Sequence, residues 1–221
     1  MAVRGSWMEI FRGERFSSRQ FTGARIDHAM FIGCDFSTSN LTDTEFNHCH
    51  FLDRTTGQGS RFTGSILQRA RFERCDLSHC DFRLAFAPGL SIVDCRAPGT
   101  DFRHSRMRPL PDDPLTGPPR ILRSNLRGAD FSAISLEACD LRDNRWSGAI
   151  TAGTNFRAAC LAGGIFTHFD WSTADFFRAD LDRAVLGDLG IAQIQQQELR
   201  LDPAQLALLL QRLGIALSED A

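Results

Sequence analysis

The sequence contains no lysine and no tyrosine, and it contains no apolar run long enough to cross a membrane. Because its fixed positive charges are all arginines, each is a planar guanidinium that can pair with a carboxylate through two hydrogen bonds. A membrane-spanning helix needs about 20 apolar residues, so the sequence predicts no contact with a membrane. The first residues, MAVRGSWMEI, lack the basic and apolar blocks of a signal peptide. We therefore expect a cytoplasmic protein.

Sequence motifs of common enzymes are missing as well, including GxxxxGK(S/T), GxSxG and HExxH. Two short groups invite a chemical interpretation, namely the His48–His50 segment HCH and the pair His168 and Asp170. Cys49 falls on an inward position of the repeat described below, so the two flanking histidines point elsewhere. The second group has no convergent nucleophile. We predict no metal, no cofactor and no enzymatic activity.

A period of five residues is what the sequence has instead. Large apolar residues occupy 29 of the 32 central positions of this repeat, and Phe36, Phe72, Phe131 and Phe176 are examples of these expected core residues. The residue two before each central one, called here the small position, is Ala, Cys, Ser, Thr or Gly in 25 of 32 cases. A period of five fits neither a helix nor a strand and indicates a stacked repeat. One large and one small inward residue per five predicts a narrow coil with a filled interior.

The seven cysteines follow the same repeat, which argues against disulfide bonds. Six of them fall on the small position, where we expect buried, reduced thiols: Cys34, Cys49, Cys75, Cys80, Cys95 and Cys139.

The segments CDFST, SNLTD, CDLSH, ADFSA and ADLDR are copies of this unit. The pattern resembles the pentapeptide-repeat family. That resemblance implies an all-β solenoid, a right-handed quadrilateral parallel β-helix over residues 1–190 with four units to a coil. At a strand spacing of ~4.8 Å, about eight coils would make a rod roughly 38 Å long.

The repeat is interrupted twice. DRTTGQGS, at 53–60, contains two glycines typical of turns. RPLPDDPLTGPPR, at 108–120, contains five prolines, each of which lacks the N–H that a sheet needs. We predict two projecting loops, and loops on a rigid scaffold are where partner contacts concentrate. The candidate partner-binding residues are Asp53, Arg54, Thr55, Thr56, Gly57 and Gln58 in loop A, and Arg108, Leu110, Asp112, Asp113, Leu115 and Arg120 in loop B.

Residues 191–221 form a tail with a helix predicted at about 203–213. Asp202 and Pro203 provide an N-cap and a first-turn proline, and Gly214 ends the helix. The segment 215–217, IAL, then predicts a short strand. The helical spacing of the leucines predicts one apolar face, which either caps a monomer or joins two copies tail to tail, and a two-fold dimer is the commonest symmetric arrangement. The leucines are Leu206, Leu209, Leu210 and Leu213.

The charge is unevenly distributed although the net charge is only −2. Residues 51–108 hold ten arginines and six acidic residues, whereas residues 151–221 hold five arginines and nine acidic residues. This asymmetry fits either a solvated surface of mixed sign or an acidic end that meets a basic partner.

Longer segments resemble the Qnr-type quinolone-resistance proteins: DRTTGQGSRF from Asp53, LSIVDCRAPGTDFR from Leu90, LEACDLRDNRWSGA from Leu136, FTHFDW from Phe166 and LLQRLGIAL from Leu209. The two interruptions also fall where that group has its loops. The resemblance implies a bacterial homodimer that binds DNA gyrase and topoisomerase IV as a partial DNA mimic and relieves quinolone inhibition, without binding nucleic acid itself. The proline-rich loop B departs from the group's pattern, so its contact residues are not transferred one by one.

Three alternatives remain open at this point. The first is a DNA mimic that inhibits gyrase outright, and the second is a self-resistance factor against a natural gyrase poison. The third is a structural scaffold with no topoisomerase partner. A net charge of only −2 argues against a pure DNA decoy.

Overall fold

The computed structural model of the chain describes residues 9–16, 20–113, 115–190 and 197–215. Within these ranges it contains nine short strands and one helix, most of the remaining wall being isolated bridges one residue long. The elements are β1 (Ile10–Arg12), β2 (Arg25–Asp27), β3 (Met30–Ile32), β4 (Glu45–Asn47), β5 (Leu52–Asp53), β6 (Gln58–Gly59), β7 (Arg71–Glu73), β8 (Ser91–Val93), β9 (Arg120–Leu122) and α1 (Pro203–Arg212).

Parallel pairing between residues about 20 apart builds a four-sided rod. Strands β2, β4, β7, β8 and β9 form one parallel sheet in that order, and Phe46 pairs with Phe72 in register. Each side of the rod, called a face, is the stack of residues that immediately precede central positions. Face 1 contains Arg15, Asp35, Arg61, Asp81, Asp101, Asp130 and Ile150; face 2 contains Asn40, Ile66, Phe86, Arg106, Ser135, Asn155 and Asp175. Face 3 runs from Arg25 to Arg200 and face 4 from Ile10 to Val185. The predicted β-helix is thus confirmed.

A tight turn at most corners explains the period of five. The residue two after most central positions has a positive φ, such as 60° at Thr38, and at many of these corners the next amide donates to the central carbonyl, as Ser39 N does to Phe36 O at 3.1 Å. A positive φ at the third residue defines a type II turn. Three extended residues and a two-residue corner therefore make one unit.

The central residues fill the interior of the rod. Phe36, Phe72 and Phe131 are fully buried and Phe176 is 3% exposed. On the inner side of face 1 the rings form a continuous stack, with centroids 4.6 to 5.0 Å apart. Stacked pairs of this kind contribute about 0.5–1.5 kcal/mol beyond their buried area. The rings in the stack are those of Phe16, Phe36, Phe62, Phe82, Phe102 and Phe131.

Side chains at the small position join one coil to the next. The hydroxyl of Ser39 donates to the carbonyl of Phe16 at 2.7 Å, and the amide of Cys75 donates to Cys95 Sγ at 3.4 Å. All six cysteines at the small position are buried free thiols, and burial raises the pKa of Cys139 to about 12. The Cys139 thiol is therefore protonated, and the thiols of Cys75 and Cys95 also accept hydrogen bonds from backbone amides.

The structure corrects the predicted end of loop B. Ile121 is fully buried and pairs with Ile92, so the repeat resumes five residues earlier than the periodicity of the sequence indicated. Arg120 begins β9 and pairs with Ser91 on face 3, which removes it from the loop. Loop B is thus 108–119. The reason is that Ile121 lies at the end of a proline-rich segment, where no neighbouring unit before it repeats the pattern.

The helix α1 covers the last coil. Asp202 caps it by accepting from Gln205 N at 2.9 Å, and Gln205 Nε2 donates to the carbonyls of Leu181 and Ala184 at 2.7 Å each. The predicted strand at 215–217 extends beyond the described residues. No helix in the described ranges is long and apolar enough to span a membrane.

Candidate functional site

Loop A is a small β-hairpin at the corner between face 4 and face 1. Strands β5 and β6 pair antiparallel, with Leu52 opposite Gly59 and Asp53 opposite Gln58. The chain re-enters the coil at Ser60, whose hydroxyl donates to the carbonyls of Phe51 and Phe31 at 3.2 and 2.8 Å. The hairpin is therefore fixed at its base by the buried small position of the next unit.

The carboxylate of Asp53 organises the hairpin turn. It accepts from the amide of Thr55 at 2.8 Å and from the hydroxyl of Thr56 at 2.9 Å. These hydrogen bonds stabilise the ionised form, so they lower the pKa of Asp53. The other predicted loop A residues, Arg54, Thr55, Thr56, Gly57 and Gln58, are exposed. The turn thus presents a guanidinium and two hydroxyl-bearing residues to solvent on a defined backbone.

Loop B leaves the opposite corner, between face 2 and face 3, and folds into its own turn. The amide of Asp113 donates to Leu110 O at 3.2 Å, and the amide of Thr116 donates to Asp113 O at 3.0 Å. The Thr116 hydroxyl, which is buried, accepts from Leu110 N at 3.1 Å. Outside this turn, Leu115 is 76% exposed and Asp112 is exposed. The loop therefore displays an exposed leucine and an exposed carboxylate.

A guanidinium on the wall holds loop B in place. Arg69 Nη1 donates to Asp113 Oδ2 at 2.8 Å, while its Nε and Nη2 donate to both oxygens of Asp43 at 2.7 and 2.8 Å. Gln68 Nε2 donates to the same Asp113 oxygen at 2.9 Å. The bidentate pair lowers the pKa of Asp43. We call Asp43, Arg69 and Asp113 the loop B latch; the sequence contains no periodic signal for it, and we missed Arg69 and Asp43 as functional candidates.

A second ion pair lies at the start of loop B. Arg108 Nη2 donates to Glu137 Oε2 at 2.9 Å, across to the following coil. Both side chains are largely exposed, at 70% and 44%, so this pair contributes little to stability. It directs Arg108 along the wall instead of outward.

The structure does not bring the two loops together. Loop A follows face 4 and loop B follows face 2, so they leave diagonally opposite corners of the rod. They are separated along its axis by about two coils, or roughly 10 Å at the usual strand spacing. A single partner that contacts both loops must therefore reach across two adjacent faces of the rod.

The leucines of the C-terminal helix divide into buried and exposed groups. Leu209 is 2% exposed and packs on the last coil, and Leu210 is half-buried. Leu206 and Leu213 are 49% and 53% exposed, together with Leu208 at 48%. The single apolar face expected from the spacing is thus only partly covered by the rod, because Gln205 takes one of the inward places.

Charges on the walls are mostly paired with one another. On face 1, Arg83 lies 2.7 Å from Asp81 and 3.6 Å from Asp101, and Arg103 lies 2.6 Å from Asp101 and 3.4 Å from Asp130. Each of these arginines therefore pairs with carboxylates on two successive coils. Such a wall does not present the uncompensated negative charge of a duplex.

The two groups of residues with apparent chemistry have structural roles. Cys49 is buried, its Sγ 3.4 Å from Asn47 O, and His48 stacks on His28 with ring centroids 4.8 Å apart. Asp170 accepts from Ser172 N at 2.9 Å in a local turn. No cluster of three or more His, Cys, Asp or Glu side chains suited to a metal occurs in the described part of the chain.

Comparison with known proteins places this geometry in a family. Residues 10–82 match the family described as pentapeptide repeat region. The quinolone resistance pentapeptide repeat protein QnrB96 of Scandinavium goeteborgense is 42% identical over 136 residues, which are 61% of this chain and 64% of that protein. The pentapeptide repeat protein QnrB4 of Escherichia coli is 41% identical over 145 residues, 65% of this chain and 67% of that protein.

Solved structures extend the similarity over nearly the whole chain. A trypsin-treated variant of QnrB1, a plasmid-mediated fluoroquinolone resistance protein, superposes with a TM-score of 0.91 at 41% identity, covering 96% of this chain and 100% of that one. Full-length QnrB1 gives a TM-score of 0.89 with the same coverage. The chain therefore belongs to the Qnr-type pentapeptide-repeat proteins.

Proposed function

We propose that this protein binds the type II topoisomerases DNA gyrase and topoisomerase IV and protects them from quinolones, so that it confers antibiotic resistance. The observation that supports this most strongly is the match to QnrB1, whose name includes fluoroquinolone resistance, over 96% of the chain. The relatives QnrB96 and QnrB4 support the same function. The protein would act by binding, in the cytoplasm where its partners and their DNA are.

The shape of the molecule suits this role. A filled β-helix has no mobile interior, and both loops are ordered by hydrogen bonds before any partner is present. A preorganised loop loses less conformational entropy on binding than a flexible one. In loop B, the latch would present Leu115 and Asp112 to the enzyme, and in loop A the turn would present Arg54.

DNA mimicry in this protein would be partial. The acidic residues of face 1 are neutralised by Arg83 and Arg103, so the wall alone is a weak substitute for a duplex. We infer that the rod supplies shape and that the two loops supply specific contacts. Such contacts would disturb the drug-bound cleavage complex without displacing DNA from an active enzyme.

We also propose that two copies associate tail to tail through α1. Leu206 lies on a ten-residue helix at the end of the rod and Leu213 is its C-cap, and both are about half exposed. Because residues seven apart lie on the same side of a helix, this pair of leucines favours burial against a second copy. Light scattering after size exclusion should give twice the 24.6 kDa chain mass. Leu206→Arg with Leu213→Arg should give the monomer, whereas Leu115→Arg should remain a dimer.

A supercoiling assay with ciprofloxacin tests the function. Increasing amounts of this protein should restore supercoiling by drug-inhibited gyrase and should not inhibit the enzyme in the drug-free reaction. Inhibition in the drug-free reaction at the same concentrations would instead identify a DNA-mimic inhibitor. Absence of any effect in both reactions would contradict the proposal and favour a scaffold or a factor directed against a different gyrase poison.

A further inference from the structure

Beside loop A lies an open groove of about 660 Å³ on face 4. Its floor consists of the consecutive face 4 residues His50, Asp76 and Arg96, and the hairpin forms one side with Leu52 and Arg54. Arg74, at the corner between face 3 and face 4, forms the other side. The volume is in the range of pockets that hold small ligands or a few side chains.

Guanidiniums dominate the groove. Arg54, Arg74 and Arg96 line it against two carboxylates, Asp76 and Asp94. Asp94 already accepts both a 2.7 Å and a 2.9 Å hydrogen bond from Arg123, on the next coil. The groove therefore has more positive charge available than negative charge.

Asp76 is similarly occupied. It accepts from the amide of Ser78 at 3.1 Å and lies 4.0 Å from Arg96 Nε, and only 12% of its side chain is exposed. Arg96 Nε donates to the Ser78 hydroxyl at 3.2 Å. Arg74 lies 3.1 Å from its exposed neighbour Glu73, a contact of the kind that solvent screens. The described structure shows no ion pair at all for Arg54. Arg54 and Arg74 are therefore the guanidiniums most available to a ligand.

The groove is also built on a rigid backbone. The ring of His79, one of its lining residues, lies directly over Gly99, where an added Cβ would come within 2.5 Å of Nδ1. At the base of the hairpin, a Cβ on Gly59 would come within 2.4 Å of the Cys80 amide nitrogen. The hairpin and the wall are therefore in close backbone contact, and the groove between them keeps its shape.

We propose that this groove binds an acidic peptide segment of the partner protein. Arginine pairs with carboxylates bidentately, and an extended segment can place successive side chains between Arg54 and Arg74. A DNA duplex does not fit a space of this size, whereas a single extended peptide strand does. The inference extends the proposed function and rests on it in one respect, namely that the segment belongs to the enzyme that loop A meets.

A peptide probe tests the groove separately from gyrase. Fluorescence anisotropy of labelled decaglutamate should show binding to the full chain at low salt. Arg54→Glu with Arg74→Glu should weaken this binding by at least about tenfold, as expected for the loss of paired charges. The control, Arg127→Glu with Arg145→Glu, makes the same change in net charge at exposed wall positions outside the groove and should leave binding within about twofold.

Other results of the same experiments would overturn the proposal or reassign the groove. Failure of decaglutamate to bind, or equal weakening by both double variants, would overturn the proposal. A labelled DNA duplex that binds in place of the peptide, with the same loss on Arg54→Glu and Arg74→Glu, would assign the groove to phosphates instead. Binding of immobilised gyrase is measured in parallel: peptide binding without gyrase binding would refute the topoisomerase partner and leave the groove intact.

Discussion

The turn of loop A is closed by hydrogen bonds between residues two or three apart in the chain, whereas the turn of loop B, besides its local bonds, is tied to the wall by side chains 44 and 45 residues away. In loop A, Asp53 supplies the acceptors for its own turn. In loop B, Asp113 supplies the acceptor and the wall supplies Arg69 as donor. The difference means that loop A keeps its shape through local contacts, while loop B depends on the coils being folded beneath it.

The largest effect should come from breaking the core that both loops share. Phe62, where the chain rejoins the coil after loop A, is fully buried between Phe36 and Phe82 in the ring stack. Phe62→Ala should lower the free energy of unfolding by ~3–5 kcal/mol. Ile121→Val, at the equivalent point after loop B, should cost ~0.5–1.5 kcal/mol. Denaturant titration measures both, and an unchanged midpoint for Phe62→Ala would refute the filled interior.

One glycine in each loop shows how tightly that loop packs against its surroundings. A Cβ at Gly59 would lie 2.4 to 2.5 Å from backbone atoms of Ser78, His79 and Cys80, whereas nothing lies within 4 Å of one at Gly117. Gly59→Ala should therefore cost ~1–3 kcal/mol through forced backbone shifts. Gly117→Ala in loop B should be neutral or slightly stabilising. Equal melting temperatures for the two variants would contradict the close packing of the hairpin base.

Removing the latch should release loop B without unfolding the rod. In Arg69→Ala, the amides of Asp113 and Thr116 should exchange with deuterium about tenfold faster, because the donor that fixes Asp113 is lost. Global stability should fall by only ~0.2–1 kcal/mol, as for other partly exposed ion pairs.

Arg61→Ala is the matched control for the latch. It removes a 3.0 Å pair with Asp35 on face 1 and leaves the latch intact, so loop B exchange should not change. Loop B exchange that is equal in wild type and Arg69→Ala would show that the latch does not order the loop.

The smallest effect is the response of loop A to acid. The folded-state pKa of Asp53 is lowered by its bonds to Thr55 and Thr56, so these bonds are fully present above the ordinary aspartate range. They are lost as the pH falls through the lowered folded value. In Asp53→Asn, exchange of the Thr55 amide, measured by NMR at neutral pH, should rise roughly two- to tenfold.

The Asp53→Asn variant also tests whether the Asp53 carboxylate causes the pH dependence of the turn. After correction for intrinsic exchange, the protection of Thr55 in Asp53→Asn should no longer change across the acidic range, while in the wild type it should decrease. A wild-type protection that stays constant on acidification would rule out the carboxylate as the organiser of this turn.

The rod and loop A could be predicted because their determinants are near one another in the sequence. The five-residue spacing alone placed Phe36 and Phe72 inside, and Asp53 to Gly57 contain the whole turn. Loop B could not be predicted in the same way, because Arg69 occupies an ordinary outward position and meets Asp113 only after two coils have stacked. The end of the loop was placed too late for a related reason: Ile121 follows prolines, and only its pairing with Ile92 identifies it as a central residue.

The C-terminal helix was likewise only partly predictable. Its start at Asp202 and Pro203 follows from local capping, but the burial of its leucines depends on the last coil. Gln205 reaches two carbonyls there and takes an inward place that leucine spacing alone would assign to Leu206. Sequence patterns find the helix, and the shape of the end of the rod decides which side chains it buries.

The most direct test of the central claim is the amount of linear DNA that gyrase produces with ciprofloxacin. The assay compares the wild type with a variant lacking residues 110–119, in which circular dichroism and melting temperature confirm a folded rod. The wild type should lower the yield of linear DNA, and the deletion should abolish this effect. Full protection by the deletion variant would contradict the role of loop B, and no protection by the wild type would contradict the proposed function itself.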